Sequence, residues 1–261
     1  MKKVYDTINQ YCVEHELLTN GDGIVIGLSG GMDSVCLLQV LAALRNEWQL
    51  RLVCVHVHHG IRGTAADEDA AFAQRLAAKY NISFRLYEMD IPQLAKEQGL
   101  SEEEAGRNYR YRCFEEVRKE LNFDKIAVAH HRDDQAETVL WQILRGSGLR
   151  GVCGMRAGRA NIIRPLLCLD RQQIEQIVRE NGDGWREDAT NREEKYTRNK
   201  IRNRVFPYIE QEIQPMARRH LVELAEDCQR AWDYIERQML EQYERLVYRD
   251  GDTFCFSVDE W

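Results

Sequence analysis

Ile24-Val25-Ile26-Gly27-Leu28-Ser29-Gly30-Gly31-Met32-Asp33-Ser34 passes from an apolar, β-branched run through two glycines and an acid into Val35-Cys36-Leu37-Leu38. The run is short and continuous, as in a strand buried on both faces, and the stretch after the glycines has the period of a helix. The spacing therefore predicts a strand over 24–29, a tight turn, and a helix over 33–45. The same alternation recurs downstream. Further strands are expected at 52–58, 83–89 and 125–130, with a weaker one at 161–166. Helical patterns intervene at 65–80, 102–121 and 133–145. Ser101 with Glu104 has the form of a capping box, and Asp170 can cap a helix running to about Glu180. Strands alternating with helices give an α/β fold, an open and mostly parallel sheet flanked by helices.

The rhythm changes after Asn181. Gly182-Asp183-Gly184 reads as a flexible break, and 185–204 as a polar, irregular and strongly charged stretch. Beyond Pro215 one long helix is expected. Leu221, Leu224, Cys228, Trp232, Ile235, Met239 and Leu246 lie on one stripe, which reads as a core-packing face. The expected organisation is a catalytic domain over 1–182, a basic linking segment over 183–207 and a smaller helical domain over 208–261. Thr253–Val258 alternates like a strand and needs a partner, either within the chain or in sequence beyond Trp261.

Composition narrows the function classes. The chain has 261 residues, 44% of them apolar and 30% charged, with a formal net charge of −7. No apolar stretch approaches the ~18–20 residues of a membrane span, and Asp6, Asn9, Gln10 and Glu14 interrupt any signal-peptide core. The net acidity disfavours a general polyanion binder. Eight cysteines, none in a C-x-x-C pair, argue against a zinc ribbon, an iron–sulfur site or a thioredoxin-like motif. A reducing, cytoplasmic setting with cysteines as small hydrophobes is the expectation.

The chemistry starts at Ser29-Gly30-Gly31-Met32-Asp33-Ser34. Glycines let the backbone turn and approach a ligand closely. The N–H groups of such a turn, with those of the helix start, form a cradle for anions. Asp33 beside phosphates makes sense if it holds Mg²⁺. The sequence contains no G-x-x-x-x-G-K-[ST], so this is not a Walker-type loop. In open α/β sheets ligands bind outside the carboxyl ends of the strands. The Ser29 loop, His58-His59 and His130–Asp134 all follow predicted strands and so converge on one edge. Asp134 and Glu137, three residues apart at a helix start, point to nearly the same side. They suit a shared metal, a substrate amine, or plain capping of the helix dipole. Asn191–Arg204 holds six basic residues against two acidic ones, with Tyr196 for stacking. It reads as a solvated loop or as a track for a nucleic-acid backbone.

The S-G-G-x-D-S turn resembles that of the PP-loop pyrophosphatases, which split ATP into AMP and pyrophosphate. Further motifs narrow the likeness: Val57-His58-His59-Gly60-Ile61-Arg62-Gly63, Glu103–Arg107 leading into Tyr109-Arg110-Tyr111, Ala129–Thr138, Leu144–Gly151, Ile163–Leu167, Trp185–Asn191 and Tyr196–Asn199 with Ile201-Arg202. From about 23 to about 207 the chain is similar to the tRNA(Ile)-lysidine synthetases. That resemblance implies an adenine nucleotide alpha-hydrolase-like fold followed by a smaller helical domain. It also implies ligation of L-lysine to C2 of the wobble cytidine in the CAU anticodon of isoleucine tRNA, with ATP and Mg²⁺. The implied catalytic residues are Asp33, Arg110, Asp134 and Glu137. Ser29, Gly30, Gly31, Met32, Asp33, Ser34 and His58 would hold the nucleotide, and Arg198, Lys200, Arg202 and Arg204 the tRNA, with Asp33 as the metal ligand. A homodimer is common in that family. Longer members carry a further C-terminal domain, and the abrupt end here fits its absence. The alternatives are a related enzyme that thiolates the same cytidine, or a truncated form that binds ATP or tRNA without turnover.

Overall fold

The computed structural model describes residues 2–58, 64–186 and 197–256. The chain divides into two compact units, Met1–Asp134 with Arg156–Glu193, and Gln135–Met155 with Glu194–Trp261.

The first unit is built on a six-stranded sheet. Its strands are β1 (Gly23–Gly27), β2 (Arg51–His58), β3 (Ser83–Glu88), β4 (Lys125–Ala127), β5 (Gly158–Arg159) and β6 (Ile162–Ile163). They lie in the order β3-β2-β1-β4-β6-β5, parallel throughout except for β5 against β6. Successive side chains of a strand point to opposite faces, and the two cores follow that alternation. Ile24, Ile26, Cys54 and Ala127 pack on one face with α1 (Lys2–Glu14), α2 (Met32–Leu44), α3 (Thr64–Lys79) and, beyond the sheet in sequence, Arg171–Glu180. Val25, Val53, Val55, Val57 and Ile126 pack on the other face with α4 (Ile91–Gln98) and α5 (Glu102–Glu120). Because both faces are covered, the central strands can be apolar without a break, as expected of β1 and β2. The edge strand β3 is half-exposed and carries Arg85 and Glu88, charges that discourage pairing with another chain.

The second unit is helical, the continuation of α6 (Arg132–Leu144) followed by α7 (Leu149–Val152). After α8, the Arg171–Glu180 helix of the first unit, come α9 (Thr197–Lys200), a π-turn over Ile201–Val205, α10 (Phe206–Glu212) and the long α11 (Ala217–Leu246). A hairpin of β7 (Val247–Asp250) and β8 (Thr253–Phe256) ends the described chain. The expected C-terminal strand thus finds its partner within the chain, across a turn where Gly251 takes φ +59°. Val258 lies outside the described residues.

Four expectations need correction. The stretch read as irregular over 185–204 is helical from Thr197 onward. Its run of charge hid two apolar anchors, Ile201 and Phe206, which are buried with Ala136 and Val222. Gly182-Asp183-Gly184 is not a loose break. The Asp183 carboxylate accepts hydrogen bonds from Gln39 (2.7 Å), Tyr80 (2.6 Å) and Lys79, so the turn is tied to α2 and α3. The stripe on α11 is core only at its start, where Leu221 packs against the buried cluster of Ala136, Ile201, Phe206 and Val222. Leu224, Ile235 and Met239 are exposed, and the buried positions are Ala217, Val222 and Ala225. The periodicity was right, but the face that packs is set by small residues beside the apolar stripe. Finally, α1 and α4 were not read from the sequence. Their buried positions are few, Ile8 and Cys12 in one and Ile91 and Ala95 in the other. All eight cysteines are free, and burial pushes the Cys12, Cys54 and Cys168 thiols up to about 12.

Candidate functional site

From β1 the chain proceeds outward to β2 and β3, then returns to place β4 on the other side of β1. The strand order reverses between β1 and β4, and the connections leaving their carboxyl ends part to leave a crevice there. The loop after β1 opens α2, and the segment after β4 opens α6, so both helix starts flank the same crevice.

The first of these loops is held by its own serines. Gly30 adopts φ +90°, a conformation that glycine reaches without strain. Its N–H donates to Ser34 Oγ at 3.1 Å, and the Gly31 N–H donates to Ser29 Oγ at 3.3 Å. Ser34 Oγ in turn donates to the Gly31 carbonyl at 2.8 Å. Two backbone donors are thus satisfied by mobile hydroxyls, a shape that can be exchanged for an anion's oxygens. Met32 is buried at the first position of α2, and Asp33 comes next with its side chain one-third exposed.

A later segment also reaches this loop. The Arg186 N–H donates to the Gly30 carbonyl at 2.9 Å, and its guanidinium binds Asp69 and Glu68 on α3, each at 2.7 Å. Asp183, anchored to α2 and α3, fixes the approach of this strap. Arg186 stands within the Trp185–Asn191 motif, but nothing local to it announces that it meets residue 30.

Across the crevice, His131 lies between two carboxylates. Its side chain is 2% exposed, with Nε2 at 3.7 Å from Asp33 Oδ2 and 3.5 Å from Asp134 Oδ2. Nδ1 accepts the Asp133 N–H at 3.3 Å, which leaves the ring proton on Nε2, facing the two acids. Asp134 Oδ2 also accepts the His131 N–H at 3.0 Å. Asp134 therefore caps α6 as well as facing the crevice. The sequence reading brought His131 to this edge within His130–Asp134 but gave it no part of its own beside Asp33 and Asp134.

His56 and His58 stand at the end of β2. The His56 Nδ1 pairs with the Leu28 carbonyl at 2.8 Å. Burial, aided by the nearby His58 and Arg110, holds its pKa below the ordinary value against that hydrogen bond. His58 Nε2 lies 3.4 Å from Asp67, and His59 lies outside the described residues. Arg110 is exposed on α5 and near enough to His56 to act on its charge. Arg107, one turn earlier, stacks on Tyr111 at 5.5 Å.

Glu137 belongs to the second unit, and its partners there are arginines. The carboxylate is 1% exposed. Oε1 accepts from Arg202 Nε at 2.6 Å, and Oε2 accepts from Arg198 Nε and Arg202 Nη2 at 2.9 Å each. Arg218 Nη1 stands 3.9 Å away while its Nε binds Glu210. Lys200 and Arg204 are exposed. Arg192, Lys195 and Tyr196 lie outside the described residues.

No cluster of three or more His, Cys, Asp or Glu suited to a metal occurs among the described residues. Mg²⁺ needs no such cage. It is usually held by one or two carboxylates together with substrate phosphates and water, and Asp33, an oxygen donor in the first turn of the helix that the glycine loop opens, fits that pattern.

Residues 2–209 match the PP-loop domain family. A tRNA(Ile)-lysidine synthase from Caldanaerobacter subterraneus subsp. tengcongensis is 43% identical over 99% of this chain and 55% of its own length. One from Clostridium perfringens (strain 13 / Type A) is 39% identical over 99% of this chain and 54% of its own. The chain thus spans about half the length of the curated relatives it matches. Among solved structures, a U34-tRNA thiolase from Methanococcus maripaludis shares the fold with a TM-score of 0.69, at 18% identity over 87% of this chain and 77% of that one. An NMN synthetase from Francisella tularensis gives 0.51 at 13% identity, over 87% and 93%. The mostly parallel sheet is therefore adenine nucleotide alpha-hydrolase-like. With its glycine loop opening α2 at the switch point and its match running over four-fifths of its length, this chain belongs to the PP-loop family.

Proposed function

We propose that the chain is the ATP-using part of a tRNA(Ile)-lysidine synthase. It would adenylate the C2 oxygen of the wobble cytidine in a CAU anticodon and then join L-lysine to C2. The observation that carries this reading is the Asp33–His131–Asp134 cluster beside the glycine loop, together with the name shared by its relatives.

The N–H groups of Gly30 and Gly31 and the start of α2 would take the phosphates, the serine hydroxyls giving way to phosphate oxygens. Asp33 would hold Mg²⁺, which supplies charge neutralisation for the pyrophosphate when bound. In the first step the C2 oxygen bonds to the α-phosphorus and the bond to the β-phosphate oxygen breaks. The Arg110 guanidinium would offset the charge gathering on the α-phosphate. In the second, the lysine ε-nitrogen bonds to C2 and AMP leaves with the oxygen. A free lysine amine has a pKa near 10.4, so only one molecule in ~2,500 is neutral at pH 7. Asp134 would bind the ammonium, and the carboxylate pair around His131 would take up the proton lost on attack.

The test is pyrophosphate release from ATP, with and without lysine, in the presence of a CAU-anticodon tRNA(Ile), while labelled lysine is traced into the tRNA. Lysine-dependent incorporation into that tRNA, and none into a UAU tRNA, is the expected result. Pyrophosphate release without incorporation of lysine would leave the adenylating half standing and sink the second half of the reading.

A further inference from the structure

Arg164 is a buried charge with no counter-charge among the described residues. It follows β6, the parallel neighbour of β4, at the carboxyl edge of the sheet. Its N–H donates to the Ala157 carbonyl at 2.8 Å, which extends the β5–β6 pairing by one step. Ile162 packs against the core under α5, and residues two apart along a strand share a face. Arg164 therefore lies on the α5 side of the sheet. Arg159, paired directly with Ile162, lies on that side as well. Phe123 stands against Gly23 at the start of β1 and Phe114 against Gly27 at its end, so α5 runs antiparallel to the strands. Its first turns, which carry Arg107 and Tyr111, reach the same carboxyl edge.

Arg164 is 8% exposed. Its Nη1 donates to the Arg156 carbonyl at 2.9 Å, whereas its Nε is buried with no hydrogen-bond partner. A guanidinium keeps its proton, so its burial cannot be relieved by neutralisation as it can for a carboxyl or a lysine. Burial holds the Arg164 pKa below the ordinary arginine value, and Arg107 and Arg159 push the same way against Tyr111 and Tyr11. Arg107, Arg159 and Arg164 make no ion pair among the described residues. Glu115, one turn beyond Tyr111, is taken by Arg118 and Asn161. A buried cation without a counter-charge is costly. Three guanidiniums gathered without an acid make a place for an oxyanion.

We propose that Arg164, Arg107 and Arg159 form an anion site that takes backbone phosphates of the tRNA beside the crevice between β1 and β4. This inference rests on the reading of the substrate as a tRNA, and it deepens that reading by naming a binding surface on the first unit. The arrangement suits a polyanion. One cation is recessed while Arg107 and Arg159 are exposed, so a phosphate seated on Arg164 leaves its neighbours along the RNA facing the other two. The phosphates of ATP would sit at the glycine loop after β1, two strands away, or about 10 Å at the usual strand spacing.

The experiment uses the whole chain and a CAU-anticodon tRNA(Ile) transcript. It measures tRNA affinity across a salt series, and the KM values for ATP and lysine. Arg164→Met keeps a long side chain in place and removes its charge. It should weaken tRNA binding by roughly tenfold and flatten the log–log salt slope by about 0.7–0.9. Both KM values should stay within about twofold of wild type. Arg107→Gln with Arg159→Gln, an exposed pair that does not threaten folding, should flatten the slope by about 1.4–1.8. If Arg164→Met fails to fold, the exposed pair decides alone. Wild-type tRNA affinity and slope in either folded variant overturn the inference. So does a raised KM for ATP or lysine at unchanged tRNA affinity, which would give the site to the nucleotide's phosphates or to the lysine carboxylate. Wild-type chain that incorporates lysine beside either result leaves the lysidine reading standing. Wild-type chain that neither binds nor modifies tRNA overturns both.

Discussion

Asp134 carries two duties that a substitution can separate. Its Oδ2 accepts the His131 N–H at the start of α6, and the same oxygen faces His131 Nε2. An amide oxygen accepts the same N–H as a carboxylate oxygen, so Asp134→Asn keeps the hydrogen bond and removes the charge. The expected outcome is a raised lysine KM and a kcat down at least about a hundredfold, with a melting temperature within a few degrees of wild type. Steady-state kinetics beside a thermal scan decides it, since loss of fold and activity together would show that the cap was the whole role. His131 sharpens the same point. Its Nδ1 accepts the Asp133 N–H, and its Nε2 faces Asp33 and Asp134.

At the level of the element, the strap from Asn181 to Arg186 is tied down by one carboxylate. Asp183 is buried among Gln39, Lys79 and Tyr80. Burial alone would raise its pKa, but the hydrogen bonds from these three groups outweigh it and hold the pKa below the ordinary carboxylate value. A depressed pKa stabilises the fold at pH values above the unfolded value of about 3.9, and that stability is lost as pH falls through the folded pKa. Asp183→Asn should therefore cost stability at pH 7, by about 1–3 kcal/mol for a partly buried ionic hydrogen bond. Urea unfolding at pH 7, 5 and 3 should show the gap to wild type constant down to about pH 5 and shrinking below pH 4. A gap that stays constant to pH 3 would mean the charge contributes nothing. Because the Arg186 N–H donates to the Gly30 carbonyl, the same variant should also loosen the glycine loop.

Across the whole molecule, burial is unevenly distributed. The β1 strand and its neighbours lie between two cores, with Ile24, Val25 and Ile26 fully buried. The latter half of α11 buries almost nothing: Tyr234, Met239, Leu240 and Tyr243 are all exposed. Opening free energy tracks local burial and packing. Hydrogen exchange should therefore be slowest at β1, β2 and β4 and faster by several orders of magnitude beyond Arg230. Protection along all of α11 equal to that of β1 would mean that its exposed face is covered in solution.

The sequence by itself determined the alternation of strands and helices, the glycine turn between β1 and α2, and the convergence of the segments after β1 and β4 on one sheet edge. These depend on periodicity and on backbone freedom within a few residues of one another, so they are legible locally. Tertiary structure alone decided which charges meet. Asp33 and Asp134 share His131 because the strand order reverses between β1 and β4. Glu137 meets arginines 61 and 65 residues later because α9 and the turn after it pack Ile201 and Phe206 beside Ala136. The apolar stripe of α11 looked like core for the converse reason: periodicity marks a face, but only the arrival of a neighbouring element buries it.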